Sequence, residues 1–333
     1  MLEHIDTEDT MTAFSEFIKH VGRGEKGRRP LTQDEAREAL DMYLDGKADL
    51  LQLATLLMLQ RVRCETSEEA AGYIQSLRGR ISPEWRDLDV DVDWPCFAGK
   101  RRQPPWLLLA AKLLAQNGIR VILSGHMAVD AIKYQVESAC PALEIPQAAT
   151  PDEARRILAK DNICYIPLSS YCEPLIDLLA LRNLVGLRTP LNTVARALNP
   201  TAAPYSIHGI FHQGYEQLHA EAAQLVGDKN MVAFKGEGGE SERSPRTACR
   251  LSGVTQGQLF TEEWPTYLEG ASGKHGEISG EFLQQIWLGE AENHYGEYAV
   301  ISTLAIVLKM MGICSDQEQA LTMAREWWEK RLS

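Results

Sequence analysis

The stretch Met231-Val-Ala-Phe-Lys-Gly-Glu-Gly-Gly-Glu-Ser-Glu-Arg-Ser-Pro-Arg246 joins a short apolar run to a loop that carries three glycines and both signs of charge. A strand that runs into a glycine loop is a recurring unit of α/β proteins. Gly236, Gly238 and Gly239 allow positive φ and let a ligand approach main-chain N–H groups. Lys235 and Arg243 flank the loop and suit an anion. Glu237, Glu240 and Glu242 suit a cation, or the positioning of those basic groups. The same composition also fits a tight solvated turn after a strand.

Outward from this strand, residues 207–211, 163–167 and 118–125 have the same character, and the last ends in its own glycine loop. Residues 90–94 alternate Val-Asp-Val-Asp-Trp, which suits a strand entering a sheet. Helical segments are expected at 106–117, with Pro105 in the first turn, and at 173–185, 293–311 and 316–331. Strands alternating with helices imply a largely parallel sheet. Residues 1 to about 80 differ, because they contain no strand candidate. Phe14, Phe17 and Ile18 recur at helical spacing, and Thr32 with Glu35 forms a capping-box pattern. Asp49 caps a third helix, and Thr66 opens a fourth with Ala70, Tyr73, Ile74 and Leu77 on one side. The expected organisation is a helical domain over 1–80 and an α/β domain over 81–333.

Composition narrows the function classes. No apolar run of this 333-residue chain approaches the ~20 residues of a membrane helix. The first ten residues are acidic and lack the apolar centre of a signal peptide, so the expected location is cytoplasmic, with no membrane partner. The seven cysteines are scattered without a Cys-x-x-Cys pair, which implies reduced, mostly buried thiols and no zinc or redox site. A net charge of −12 argues against nucleic acid, but its distribution is uneven. Lys19, Arg23, Lys26, Arg28 and Arg29 cluster with the single acid Glu25, and Lys100, Arg101 and Arg102 are consecutive. Residues 262–297 hold eight glutamates and one lysine, so a basic and an acidic face can coexist. His208 and His212 lie four apart, but in a strand-and-turn setting with no third ligand, so no metal site is expected.

Three further stretches carry a family resemblance. Leu181-Arg-Asn-Leu-Val-Gly-Leu-Arg-Thr-Pro-Leu-Asn-Thr-Val-Ala-Arg-Ala-Leu-Asn-Pro200 resembles the Arg-x-x-Leu-Gly-x-Arg-Thr…Leu-x-Asn-Pro signature of anthranilate phosphoribosyltransferases and the wider nucleoside-phosphorylase-like glycosyltransferase family 3. Gly46-Lys-Ala-Asp-Leu50 with Leu59-Gln-Arg-Val-Arg-Cys-Glu-Thr66 looks like that family's helical domain, and Gly209-Ile-Phe-His212 like its Gly-Val-x-His turn. The resemblance implies an α/β fold with a separate helical domain completed by helices around 173–200. It also implies dimerisation through the helical part, and a site for phosphoribosyl pyrophosphate and Mg²⁺ in the cleft between domains. Arg182 stands at the position of the family's acceptor-carboxylate arginine.

The departures are as informative as the matches. Where the enzymes have Gly-Thr-Gly-Gly-Asp, this chain reads Ala98-Gly-Lys-Arg-Arg-Gln-Pro-Pro105, and its prolines cannot donate N–H bonds to a pyrophosphate. Lys-His-Gly-Asn-Arg becomes Leu123-Ser-Gly-His-Met127, and the metal-binding Asp-Glu pair becomes Ser241-Glu242. These changes resemble the TrpD2 (YbiB-like) branch, whose members look like non-sequence-specific nucleic-acid binders. That resemblance implies a groove in which Lys100, Arg101, Arg102, Lys235, Gly236, Gly238, Gly239, Arg243, Arg23, Arg28 and Arg29 meet DNA, single strands above all, or RNA, with no cofactor. The alternative is a glycosyl or phosphoribosyl transferase with an unusual donor site, which alone would call for Mg²⁺. A scaffold without a ligand is the third reading.

Overall fold

The computed structural model describes residues 7–126, 133–270 and 277–333. Met1–Asp6 at the acidic N-terminus, Met127 of the 123–127 motif and part of the acidic 262–297 stretch lie outside the described residues. By contact density the chain divides into Met1–Ile81 with Cys172–Leu198, and Ser82–Tyr171 with Asn199–Ser333.

The first unit is helical: Thr7–Gly22, Gln33–Leu44, Leu50–Arg63 and Ser67–Arg78, joined by Pro174–Val185 and Leu191–Val194 from mid-chain. Thr32, Asp49 and Thr66 each start a helix with a complete capping box, which satisfies N–H groups that the first turn leaves orphaned. The apolar stripes converge on a core of Phe14, Leu40, Leu53, Leu56, Leu57, Tyr73 and Leu77. At Gly72 an added Cβ would sit 2.3 Å from the Gln33 carbonyl oxygen, so only glycine lets the Gln33–Leu44 and Ser67–Arg78 helices approach this closely. Arg78 crosses the unit to donate to the Leu198 carbonyl (2.9 Å) and the Ala197 carbonyl (2.7 Å).

Glu69 is the polar hub of this unit. Fully buried, it accepts from the Leu31 N–H (3.0 Å), Gln60 Nε2 (3.0 Å), the Thr66 N–H (2.9 Å) and Arg63 Nη2 (2.6 Å). It thereby ties the Leu50–Arg63 and Ser67–Arg78 helices, and the connections that precede Gln33 and Ser67, to a single carboxylate.

The second unit contains a seven-stranded sheet: β1 (Val92–Cys96), β2 (Val121–Gly125), β3 (Ile163–Pro167), β4 (Tyr205–Ile210), β5 (Asn230–Lys235), β6 (Cys249–Thr255) and β7 (Gln258–Trp264), in the order β3-β2-β1-β4-β5-β6-β7. The first five are parallel, and β6 and β7 form an antiparallel hairpin on the β5 side. Both faces of β1 are covered, so the Val-Asp-Val-Asp alternation does not mark a wet face. Asp93 is wholly buried and is held by the Ser124 hydroxyl from β2 (3.1 Å) and the Ser206 hydroxyl from β4 (3.3 Å). The β6–β7 hairpin is a feature that the sequence reading does not anticipate. Its turn uses Gln256 (φ 51°) and Gly257 (φ 81°), and Gln-Gly is a weaker turn signal than Asn-Gly or Asp-Gly.

The nearly all-apolar helix His294–Met310 is buried against Leu107–Gln116, with the Trp106 ring on Gly296. No helix among the described residues is long and apolar enough to cross a membrane.

Glu35 and Glu69 occupy equivalent capping-box positions but differ in burial. Glu69→Ala should destabilise by about 3–5 kcal/mol, because Arg63 loses its buried partner. Glu35→Ala, beside an exposed Arg29, should cost about 1 kcal/mol. Urea denaturation of the two variants measures the contrast.

Candidate ligand site at the carboxyl edge of the sheet

In a parallel sheet, ligands meet the chain beyond the carboxyl ends of the strands. Here the loops after β1 and β5 meet at that edge. The loop after β1 leads into Leu107–Gln116, whose N-terminus carries the partial positive charge of the helix dipole. The N–H groups of Ala98 and Gly99 (φ 66°) converge on one oxygen, Oε1 of Glu240, at 2.7 and 2.5 Å. The Leu107 N–H donates to Glu242 Oε2 at 3.0 Å. Lys100 Nζ, fully buried, lies 2.6 Å from Glu242 Oε1 and 2.5 Å from Glu237 Oε2. The donors that could cradle an anion are therefore held by carboxylates of the chain itself.

The glycine loop after β5 is folded on itself. Gly236 N–H donates to the Ile210 carbonyl, Glu237 N–H to the Glu242 carbonyl and Gly239 N–H to the Gly236 carbonyl. Gly238 and Gly239 take φ of 72° and 91°, which closes this tight loop. The N–H groups of Gly236 and Gly239 are thus engaged within the loop, and the positive φ of Gly238 and Gly239 wraps it around Glu240 and Glu242.

Electrostatics follow from the burial. Desolvation pushes the Glu242 carboxyl up to about 7, against the opposing pull of Lys100. For Lys100, burial pulls the ammonium down, but Glu242 and Glu237 more than offset it, and the net shift is upward.

The predicted basic residues divide into two sets. Lys100 and Arg243 are interior and do not offer their charge at the surface. Arg243 lies over the Trp264 ring at 5.3 Å and donates to the Pro265 carbonyl, and its burial lowers its pKa. Arg101, Arg102 and Lys235 are exposed, with no ion pair among the described residues. Arg23 and Arg28 are exposed on the helical unit, Arg29 pairs with Glu35, and Arg182 is half-buried on Pro174–Val185.

The residues at the metal position do not fit Mg²⁺. The Ser241 hydroxyl is buried within reach of the Ile207 carbonyl (3.1 Å) and the Pro95 carbonyl (3.4 Å), and the Lys100 ammonium occupies the space between Glu237 and Glu242 where a cation would sit. Among the described residues no group of three or more His, Cys, Asp or Glu is placed to hold a metal ion. His208 and His212 do not form a pair. His208 is buried against Ser206 (3.1 Å) and His219 (3.0 Å), whereas His212 is exposed beyond the end of β4. Sequence reasoning missed the Glu240 clamp, since nothing in Gly-Gly-Glu-Ser-Glu says which carboxylate turns toward β1.

Lys100→Met should strand Glu242 and cost about 3–5 kcal/mol, while Arg101→Ala should change stability by less than about 0.5 kcal/mol. Glu242, with a raised folded pKa, contributes stability that is present below its unfolded pKa and is lost as pH rises through about 7. The deficit of Lys100→Met should therefore be smaller at pH 5 than at pH 8, as read from urea midpoints.

Residues 15–80 match the model of the glycosyl transferase family, helical bundle domain. An anthranilate phosphoribosyltransferase of Geobacillus sp. (strain WCH70) is 25% identical over 307 residues, covering 89% of this chain and 89% of the relative. In solved structures, the anthranilate phosphoribosyltransferase of Thermus thermophilus superposes with a TM-score of 0.79 at 20% identity, over 96% of this chain and 95% of that one. The Saccharomyces cerevisiae enzyme in complex with PRPP and Mg superposes with a TM-score of 0.73 at 14% identity, over 96% and 94%. The chain has the anthranilate phosphoribosyltransferase fold, and its likeness in sequence supports the glycosyltransferase family 3/anthranilate phosphoribosyltransferase superfamily, at a level that does not separate one branch from another.

Proposed function

We propose that the protein is a cytoplasmic homodimer that binds nucleic acid without sequence specificity, on a phosphoribosyltransferase fold that has lost its donor chemistry. The carrying observation is the occupation of the Ala98 and Gly99 N–H groups by Glu240, with Lys100 locked between Glu237 and Glu242. A pyrophosphate would have to displace a tethered carboxylate, and a divalent cation would have to displace a buried ammonium. What remains for a ligand at this edge is the exposed set Arg101, Arg102 and Lys235. Exposed cations of this kind suit a phosphate backbone, which they position without reading bases. Single strands are the favoured partner, and RNA shares the same backbone charge. Arg23 and Arg28 supply further exposed positive charge on the helical unit. For the dimer, the support is the exposed apolar set Leu51, Val62, Leu184 and Leu187 on that unit, since apolar surface left in water marks interaction faces.

Likeness to anthranilate phosphoribosyltransferases in sequence and fold favours a second reading, transfer from a phosphorylated ribose donor. A paired titration separates the two. Labelled single-stranded DNA should bind with an affinity that falls as salt rises, and phosphoribosyl pyrophosphate with Mg²⁺ should show no saturable binding. Lys100 belongs to the fold and is left intact. The double variant Arg101→Ala, Arg102→Ala should reduce the log–log salt slope by about 1.4, at roughly 0.7 per contact. Saturable donor binding with an unchanged DNA slope would place the transferase reading first.

A further inference from the structure

A cavity of about 540 Å³ opens between the ends of β4 and β5 and the start of β6. That volume is in the range of small-ligand pockets. Phe211 lines it with 53% of its surface exposed. Gly239 backs this side chain: a Cβ built there would lie 3.3 Å from the Phe211 Cβ and 3.6 Å from its ring. His212 stands edge-on to it, with centroids 4.9 Å apart and planes at 84°.

The lining carries both signs of charge, and they differ in how they are engaged. Glu237 is bound to Lys100, and the buried Glu216 accepts from the Gly214 N–H at 2.7 Å. Lys235 is exposed and unpaired among the described residues, and Arg250 has only a long, exposed contact with Glu263 at 3.9 Å. An exposed aromatic ring beside two exposed cations suits a ligand that is flat at one end and anionic at the other. The exposed Thr247 offers a hydroxyl for the polar edge of such a ring.

We propose that this cavity takes one unpaired nucleotide of a single strand, its base stacked on Phe211 and its flanking phosphates met by Lys235 and Arg250. This rests on the nucleic-acid reading above and deepens it by naming where a base would sit. A paired base offers no free face, so duplex is excluded from the pocket. Stacking of one base on an aromatic side chain contributes about 1–3 kcal/mol.

The test is fluorescence anisotropy with three probes at fixed salt: oligothymidylate, an abasic strand of equal length, and a duplex. The parent should prefer oligothymidylate over the abasic strand by about 5- to 150-fold, the factor that corresponds to this stacking energy. Phe211→Ala and Phe211→Leu should collapse that ratio toward one, and Phe211→Trp should keep it. Phe211→Leu retains the bulk against Gly239, so a loss there reports the missing ring and not a disturbed loop. A parent that binds the abasic strand as well as oligothymidylate overturns the pocket and leaves the backbone reading standing. A parent that binds neither strand overturns both. Free thymidine monophosphate binding as tightly as the strand would overturn the assignment to a strand.

Discussion

The Lys100 ammonium lies fully buried, 2.6 Å from one carboxylate and 2.5 Å from another. An isolated charge in such a place is prohibitively costly, so the ammonium is tolerated only while Glu237 and Glu242 are both in position. Those two residues belong to a loop that closes only because Gly238 and Gly239 adopt positive φ. Glu242 in turn caps the Leu107–Gln116 helix, and that helix packs on the buried His294–Met310 helix. One ion pair therefore links the loop after β1, the loop after β5 and the helix layer.

The same arrangement bears on ligand chemistry. A helix N-terminus with converging N–H groups attracts anions, and the fold places one beyond β1. In this chain the anion is supplied internally by Glu240 and Glu242. An internal carboxylate is already tethered and loses no translational freedom on binding, whereas an external phosphate does. The external ligand must also restore every hydrogen bond it breaks. The balance favours the closed state, and the exposed arginines and Lys235 are left as the accessible charge of this edge.

Much of the architecture was legible because local signals agreed with the global fold. Thr32, Asp49 and Thr66 mark helix starts in sequence and in structure, and the short apolar runs at 163–167 and 232–234 are strands. The β6–β7 hairpin was hidden because Glu262 and Glu263 sit on an exposed edge strand, where charge discourages pairing with other chains, so they read as an acidic surface stretch. The site was legible only in part. Lys100-Arg101-Arg102 is a run of three equal charges in sequence, yet the chain turns the first inward and leaves the other two in water. That division depends on carboxylates well over a hundred residues away, which no local pattern reports.

That separation has a kinetic consequence. Lys100 and Glu242 are 142 residues apart in sequence, and the Ala98–Glu240 contact spans the same distance. Closing a loop of this length costs chain entropy before any contact repays it, and contacts of such long range form slowly. The ion pair also cannot precede the desolvation that makes it strong, since β4 and β5 must already be seated for the glycine loop to close. The ligand edge is therefore expected to assemble after the sheet it crowns, which φ-values at Lys100 and Glu242 near zero would show. Interactions absent from the folding transition state govern how fast a native protein comes apart, not how fast it forms. The Lys100 clamp is in this sense a latch on the finished fold, setting its lifetime rather than its route.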